Sequence, residues 1–321
     1  MSVSATINRP ADTVPVIDIG DLMSAPALGA IDDACREWGF FQVTGHGLGE
    51  ATVARLFAAA SRFFAQPAAV KHRILRTADN PWGYYDRELT KNTPDWKEVF
   101  DYGPPDGDRL APQWPDGLPG FESAVRAYYD ACERIAHRLL AAISVNLGMP
   151  ADYLSQYFVE AHTSFMRLNF YPRCPTAAAP AADRPLGVNQ HTDAGALTLL
   201  LQDDQPGLEV CRDGDWHLIE PRRGALVINI GDMVQVWSND RYRAALHRVV
   251  TNGERGRYSV PYFFNPAYDT DYAPLPTTVT AETPAHYRPI NWREFRSRRA
   301  AGDYADLGDE VQITDYRIRR D

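Results

Sequence analysis

The apolar positions of this chain change period once, near Pro150. Up to that point they recur at three- and four-residue steps, the spacing of one helix face. Ile31, Ala34, Cys35 and Trp38 share such a face between two short apolar runs suited to strands, Val14–Ile19 and Phe40–Val43. Glu50 to Ala65 keep the helical spacing until Pro67, which cannot occupy a helix interior. From Gly120 to Leu147, residues Val125, Tyr128, Tyr129, Cys132, Ile135, Leu139, Ile143 and Leu147 form one stripe, predicting a long helix with a core-facing side. Beyond Pro150 the runs shorten to strand length: Ser164–Tyr171, Leu197–Gln202, Leu208–Cys211, His217–Ile219, Ala225–Ile230, His247–Thr251 and Tyr258–Phe264. Asp213-Gly214 and Asn252-Gly253 are hairpin dipeptides, and Pro175 to Pro185 reads as a solvent loop.

About seven short strands with hairpins predict an α+β chain: a β-sandwich or jelly roll buttressed by N-terminal helices. Nothing resembling a linker separates the halves. The expectation is therefore one unit, mainly helical over 1–160, with a β core over 161–270 and a C-terminal extension over 271–321.

Composition narrows the partners. Apolar residues make up 45% and charged residues 23%, ordinary globular usage. The net charge of -9 disfavours phosphate backbones, so no nucleic acid partner is expected. The single basic patch, Arg293 to Arg299, reads as a solvated helix face. The four cysteines, Cys35, Cys132, Cys174 and Cys211, show neither a disulfide framework nor zinc-ribbon spacing, which suggests free thiols in a reducing compartment. No basic leader precedes an apolar run, and no run of about 18 apolar residues occurs, so no membrane association and a cytoplasmic location are expected.

His191-Thr192-Asp193 is the central triplet. On an extended segment residues i and i+2 point to the same side, so imidazole and carboxylate can share one ion. Alone it is weak: with 8 His and 42 acidic residues in 321 positions, chance gives about one such triplet. His247 opens an apolar strand, where a buried imidazole needs a partner. Two histidines and one carboxylate on one face, leaving three positions open, is the arrangement of non-haem Fe(II) oxygenases; zinc suits the same ligands. Ten residues on, Arg257 and Ser259 share one strand face, a guanidinium and a hydroxyl placed to fork a carboxylate. The competing reading of Arg257 is a surface ion pair. Phe165, Arg167, Asn169 and Tyr171 alternate with apolar Met166, Leu168 and Phe170, and polar groups facing inward usually serve a ligand or a buried network.

These segments together carry a resemblance. Leu168-Asn169-Phe170-Tyr171-Pro172, His191-Thr192-Asp193 with Leu197 to Asp203, Gly207-Leu208-Glu209-Val210, Gly231-Asp232, and His247-Arg248-Val249 to Arg257-Tyr258-Ser259 are the main ones. With Val14 to Asp18, Gly39 to Val43 and Gly45-His46-Gly47, the chain resembles the isopenicillin N synthase-like branch of iron(II)/2-oxoglutarate dioxygenases. The likeness covers nearly the whole chain and is least diagnostic over 78–119 and the tail. It implies a double-stranded β-helix (jelly-roll) core with Fe(II) held by His191, Asp193 and His247. It further implies 2-oxoglutarate chelating that iron, its far carboxylate meeting Arg257, Ser259 and Tyr171, with Asn169 near the chelating end. Dioxygen, succinate and CO2 complete the expected reaction, with a small-molecule C–H bond oxidised; hydroxylation, desaturation and ring closure are not separated.

Substrate-facing candidates are Tyr84, Tyr85, Trp96, Phe100, Phe165 and Phe263, each with core packing as the competing reading. Such a pocket would suit a small, partly hydrophobic molecule. Arg167 either meets an anionic substrate group or pairs with a carboxylate such as Glu98. His46, between two glycines, reads as a structural turn residue, and His137, on the long helix, as a surface or core-edge residue. Two alternatives stay open: a 2-oxoglutarate-independent oxidase, whose Arg-Ser pair holds the substrate's own carboxylate, and a jelly-roll binding module without catalysis. Tyr171 and Asn169 speak against the first, and the intact ligand triad against the second.

Overall fold

A computed structural model describes residues 13–105, 110–159, 162–178, 184–303, 307–309 and 311–319. The helical spacing of the first half becomes α1 (Ala25–Glu37), α2 (Glu50–Phe64) and α3 (Phe121–Asn146). Each buries the stripe its sequence carries: Ile31, Ala34 and Cys35 on α1, Leu56, Ala59 and Phe63 on α2, and Val125 through Ile143 on α3. Each fully buried Leu or Ile contributes about 1.5–3 kcal/mol relative to exposure, so these faces hold the helices against the sheet. Tyr128 adds a hydrogen bond from its hydroxyl to the Val260 carbonyl at 2.9 Å.

The strands are β1 (Val16–Asp18), β2 (Phe40–Thr44), β3 (Gly83–Tyr85), β4 (Glu98–Tyr102), β5 (Phe165–Tyr171) and β6 (Leu186–His191). They continue as β7 (Leu197–Gln202), β8 (Leu208–Arg212), β9 (Asp215–Leu218), β10 (Leu226–Ile230), β11 (His247–Val250) and β12 (Arg257–Phe264). An eight-stranded sheet runs β1-β2-β10-β7-β12-β5-β4-β3, and a four-stranded sheet runs β9-β8-β11-β6. This is an α+β chain with a jelly-roll core. Period-two alternation assigns the faces of the large sheet. On β5, Met166 and Leu168 enter the core shared with the helices, whereas Phe165, Arg167, Asn169 and Tyr171 line the cavity between the sheets.

Asp213-Gly214 does close the β8–β9 hairpin, with positive φ at both residues (54° and 96°), as its turn type requires. Asn252-Gly253 does not close a hairpin. β11 pairs with β8 and β6 in the small sheet, while β12 pairs with β5 and β7 in the large one, so this turn carries the chain between sheets. Three strands of these two sheets lie outside the sequence expectation. β3 and β4 extend the large sheet from the half that reads mainly helical, and β6 ends on His191. β4 holds Glu98 and Asp101, and β6 holds Asn189 and Gln190, so neither shows the apolar run that marks a strand. The Pro175 to Pro185 loop lies partly outside the described residues.

Candidate active site

The small sheet brings the first two imidazoles together. His247 on β11 pairs in register with His191 at the end of β6, and their ring centroids lie 4.3 Å apart. Asp193 follows two residues beyond His191. Its Oδ1 lies 3.4 Å from His191 Nε2 and 3.7 Å from His247 Nε2. One ligand atom from each of the three falls within 4.8 Å of the others, a grouping that could hold one metal ion. Both rings are fixed by the same device. His191 Nδ1 meets the Asn189 carbonyl at 2.8 Å and His247 Nδ1 meets the Ala245 carbonyl at 3.1 Å. A carbonyl only accepts, so each Nδ1 donates there and each Nε2 is left facing Asp193.

Asp193 is fixed in the same way. Its Oδ2 accepts from Thr198 Oγ1 at 2.5 Å and Asn229 Nδ2 at 2.8 Å, which leaves Oδ1 for the histidine side. Burial alone would raise this carboxyl, but His247, His191 and the Thr198 hydroxyl outweigh it and hold it far below the usual carboxylate range. Burial, helped by the His191 ring, pushes His247 down to about 4 against the pull of Asp193. A carboxylate beside a neutral imidazole is the protonation state a divalent cation requires.

The second constellation forms across β12 and β5, where Arg257 pairs with Tyr171 and Ser259 with Asn169. Ser259 Oγ lies 3.3 Å from both the Tyr171 hydroxyl and Asn169 Nδ2. Arg257 is 1% exposed. Its Nε and Nη2 donate to the Gln205 carbonyl and to Gln202 Oε1, at 3.2 and 3.0 Å. Its Nη1 is buried without a partner, as is Asn169 Oδ1. No carboxylate lies within ion-pair distance of Arg257 among the described residues. A buried guanidinium is costly unless paired, so this end of the cavity fits a carboxylate ligand. Both constellations open into one cavity of about 450 Å³.

Comparison with known proteins agrees with this geometry. The 2OG-Fe(II) oxygenase superfamily matches residues 162–266, and the N-terminal family described as non-haem dioxygenase in morphine synthesis matches residues 14–117. Flavanone 3-dioxygenase 2 of Oryza sativa is 34% identical over 293 residues, covering 88% of this chain and 82% of that protein. The chain belongs to the 2OG-Fe(II) oxygenase superfamily. Among solved structures, JOX2 in complex with 2OG, Fe and JA superposes with a TM-score of 0.84 at 28% identity, covering 97% of this chain and 91% of that one. A full-length Neurospora crassa protein in complex with alpha-KG and thymine gives 0.81 at 26% identity, covering 91% and 98%. The protein is a dioxygenase that uses Fe(II), 2-oxoglutarate and dioxygen.

In this oxygenase the substrate candidates separate. Phe165, Arg167 and Phe263 line the cavity, Phe165 and Phe263 stacked with centroids 4.7 Å apart. Tyr84 and Phe100 do not: both pack on Phe63 in the core beneath α2, because their strands turn these rings toward the helices. Tyr85 lies outside the cavity lining, under the guanidiniums of Arg76 and Arg87. Trp96 is a surface residue whose indole donates to the Pro172 carbonyl at 3.0 Å. Arg167 is paired, though not with Glu98, which instead meets Lys71 and the Tyr84 hydroxyl. It forks Asp101 at 2.6 and 2.8 Å and reaches Glu88 at 2.7 Å. His46 ties its own turn to a distant one, its Nδ1 accepting from the Leu48 amide and its Nε2 meeting the Gly224 carbonyl, both at 3.0 Å, and His137 packs edge-on against Phe158 and Phe264.

Several residues around the triad escaped the sequence reading. Thr198 and Asn229 were legible only as polar interruptions of the apolar runs β7 and β10. Gly231-Asp232 belongs to the matching motifs, and its role is packing against the triplet. A Cβ at Gly231 would sit 2.1 Å from the Gly195 carbonyl oxygen, and the Asp232 amide donates to the Asp193 carbonyl at 2.7 Å. The basic patch also differs from the solvated face expected. On α4 (Trp292–Asp303), Arg293 and Arg298 are exposed, but Arg299 is buried. Its guanidinium grips Asp232 at 2.9 Å and the Thr192 carbonyl, between His191 and Asp193, at 3.0 Å.

Proposed function

We propose that this oxygenase oxidises a C–H bond of a small, largely apolar molecule, with the iron on His191, Asp193 and His247. In this reading Arg257, Ser259 and the Tyr171 hydroxyl receive the far carboxylate of 2-oxoglutarate, and Asn169 lies beside its chelating end. The observation that carries it is the buried, carboxylate-free Arg257 opening into the same cavity as the His-Asp-His cluster. Bound Fe(II) and 2-oxoglutarate supply the oxidising power, dioxygen being consumed as the co-substrate is converted to succinate and CO2. The chain's own contribution is positional. The i−2 carbonyls orient both imidazoles, Thr198 and Asn229 turn one oxygen of Asp193 to the metal side, and Phe165, Phe263, Leu200 and Val249 help keep water from the reacting C–H bond.

Relatives named for flavanone and gibberellin, and structures holding thymine or JA, support a small organic substrate. The inward placement of Arg296 and Arg299 removes half of the basic patch from the surface, which favours a small molecule over nucleic acid. The test is succinate release by anaerobically iron-loaded protein given 2-oxoglutarate and then air. Wild type releases succinate slowly without substrate, and Asp193→Ala releases none while keeping its fold by circular dichroism. Undiminished succinate from Asp193→Ala would remove this assignment.

A further inference from the structure

The cavity holds one more cation than the reaction uses. Arg167 and Arg76 are paired with Asp101 and Glu88, Lys97 with Asp95 at 3.0 Å, and Arg299 with Asp232. Arg257 is assigned to the co-substrate. Arg296, three residues before Arg299 on α4, also lines the cavity and is half-buried. No carboxylate among the described residues pairs with it, and its one hydrogen bond there runs from Nη1 to the Thr163 carbonyl at 3.2 Å. Burial pushes its guanidinium below the ordinary value, with only Tyr268 opposing. Its charge lies beside the rings of Phe165, Tyr268 and Trp292, at 5.5, 5.6 and 5.8 Å.

Cation–π contact offsets part of the cost of desolvating a guanidinium, and no carboxylate among the described residues meets its remaining N–H donors. Phe165, beside that guanidinium, also meets the rings of Trp82 and Phe263, and the three form an apolar stretch of the cavity lining. We propose that the substrate is an organic acid whose carboxylate is held by Arg296 while its apolar body lies on Trp82, Phe165 and Phe263. This rests on the iron and co-substrate assignment above, since Arg257 is otherwise a second vacant carboxylate site. The pairing would fix which C–H bond reaches the metal, because Arg299, one turn further along α4, holds the same helix to Thr192.

The experiment uses anaerobic protein loaded with Fe(II) and 2-oxoglutarate, whose visible chelate absorption reports the metal site directly. Phenylacetate, cinnamate and 4-phenylbutyrate are titrated against their amides, following the chelate band and the quenching of tryptophan fluorescence. At least one acid should bind about tenfold or more tighter than its amide, the scale of one charge-assisted hydrogen bond. Arg296→Gln should erase that preference and Arg296→Lys should keep part of it, both with unchanged 2-oxoglutarate affinity. A chelate band with no acid preference, or an acid preference that survives in Arg296→Gln, overturns this proposal and leaves the iron assignment standing. No chelate band at all takes both away.

Discussion

Two sets of cations line the same cavity and were built for opposite ends. On the wall formed by β4 and β5, Arg167 and Arg76 share Asp101 and Glu88, so every charge there is answered by the protein. On the wall formed by β12, Arg257 is more deeply buried yet answered only by neutral carbonyl and amide oxygens. The first arrangement is architecture: it ties β4 and the Glu88 segment to β5. The second leaves a buried charge with no carboxylate partner among the described residues. A buried arginine in sequence therefore says little about function until its partner is known.

The largest effect should follow from breaking the answered set. Asp101→Asn leaves Arg167 and Arg76 under-compensated in the interior and should cost about 3–5 kcal/mol in denaturant unfolding. A loss under about 1 kcal/mol would mean water already screens the cluster. The same set sets an acid limb. Burial would raise Glu88, but Arg167, Arg76 and Lys97 overcome it and bring the carboxyl down to about 2 from a usual 4.5. A folded value below the unfolded one means the stabilisation is complete above the usual value and is lost as pH falls from there toward about 2. Unfolding of Glu88→Gln should therefore depend less on pH across that window than unfolding of wild type.

The charge with only neutral partners should behave in the opposite sense. Arg257→Met removes an unpaired buried cation, so ligand-free stability should change by no more than about 1 kcal/mol, while 2-oxoglutarate binding weakens by about 2–4 kcal/mol. Isothermal titration and thermal melting on the same samples would separate the two; a large stability loss with unchanged affinity would reverse the contrast. A smaller effect is expected behind the His-Asp-His cluster. Asn229→Ala removes one of two donors to Asp193 Oδ2 and should weaken iron binding about tenfold, read by competition with a chelator. Equal iron affinity would show that Thr198 alone orients the carboxylate.

Legibility followed burial pattern. The helical stripes and the apolar strands β7, β10 and β12 stand where periodicity places them, because a face that must exclude water writes its period into the sequence. β4 and β6 were hidden because their polar residues are answered by distant ones: Asp101 by Arg167, and Asn189 by Asp95. The same reason explains the aromatic candidates. Tyr84 and Phe263 carry the same kind of signal in sequence, and only strand register sends the first toward α2 and the second into the cavity.

By itself, then, the sequence determined the helix and strand inventory of its apolar parts and the family to which the His-Asp-His set and the Arg-Ser fork point. Local spacing and residue chemistry are enough for each of these. Tertiary structure alone decided which of the cavity's cations are neutralised, that Asn252-Gly253 crosses between sheets, and that the expected surface patch turns Arg299 to Thr192 and Arg296 to the cavity. Those outcomes depend on pairings between residues tens to hundreds of positions apart. A charge's meaning is set by what lies within a few ångströms of it in space, and sequence neighbourhood does not report that distance.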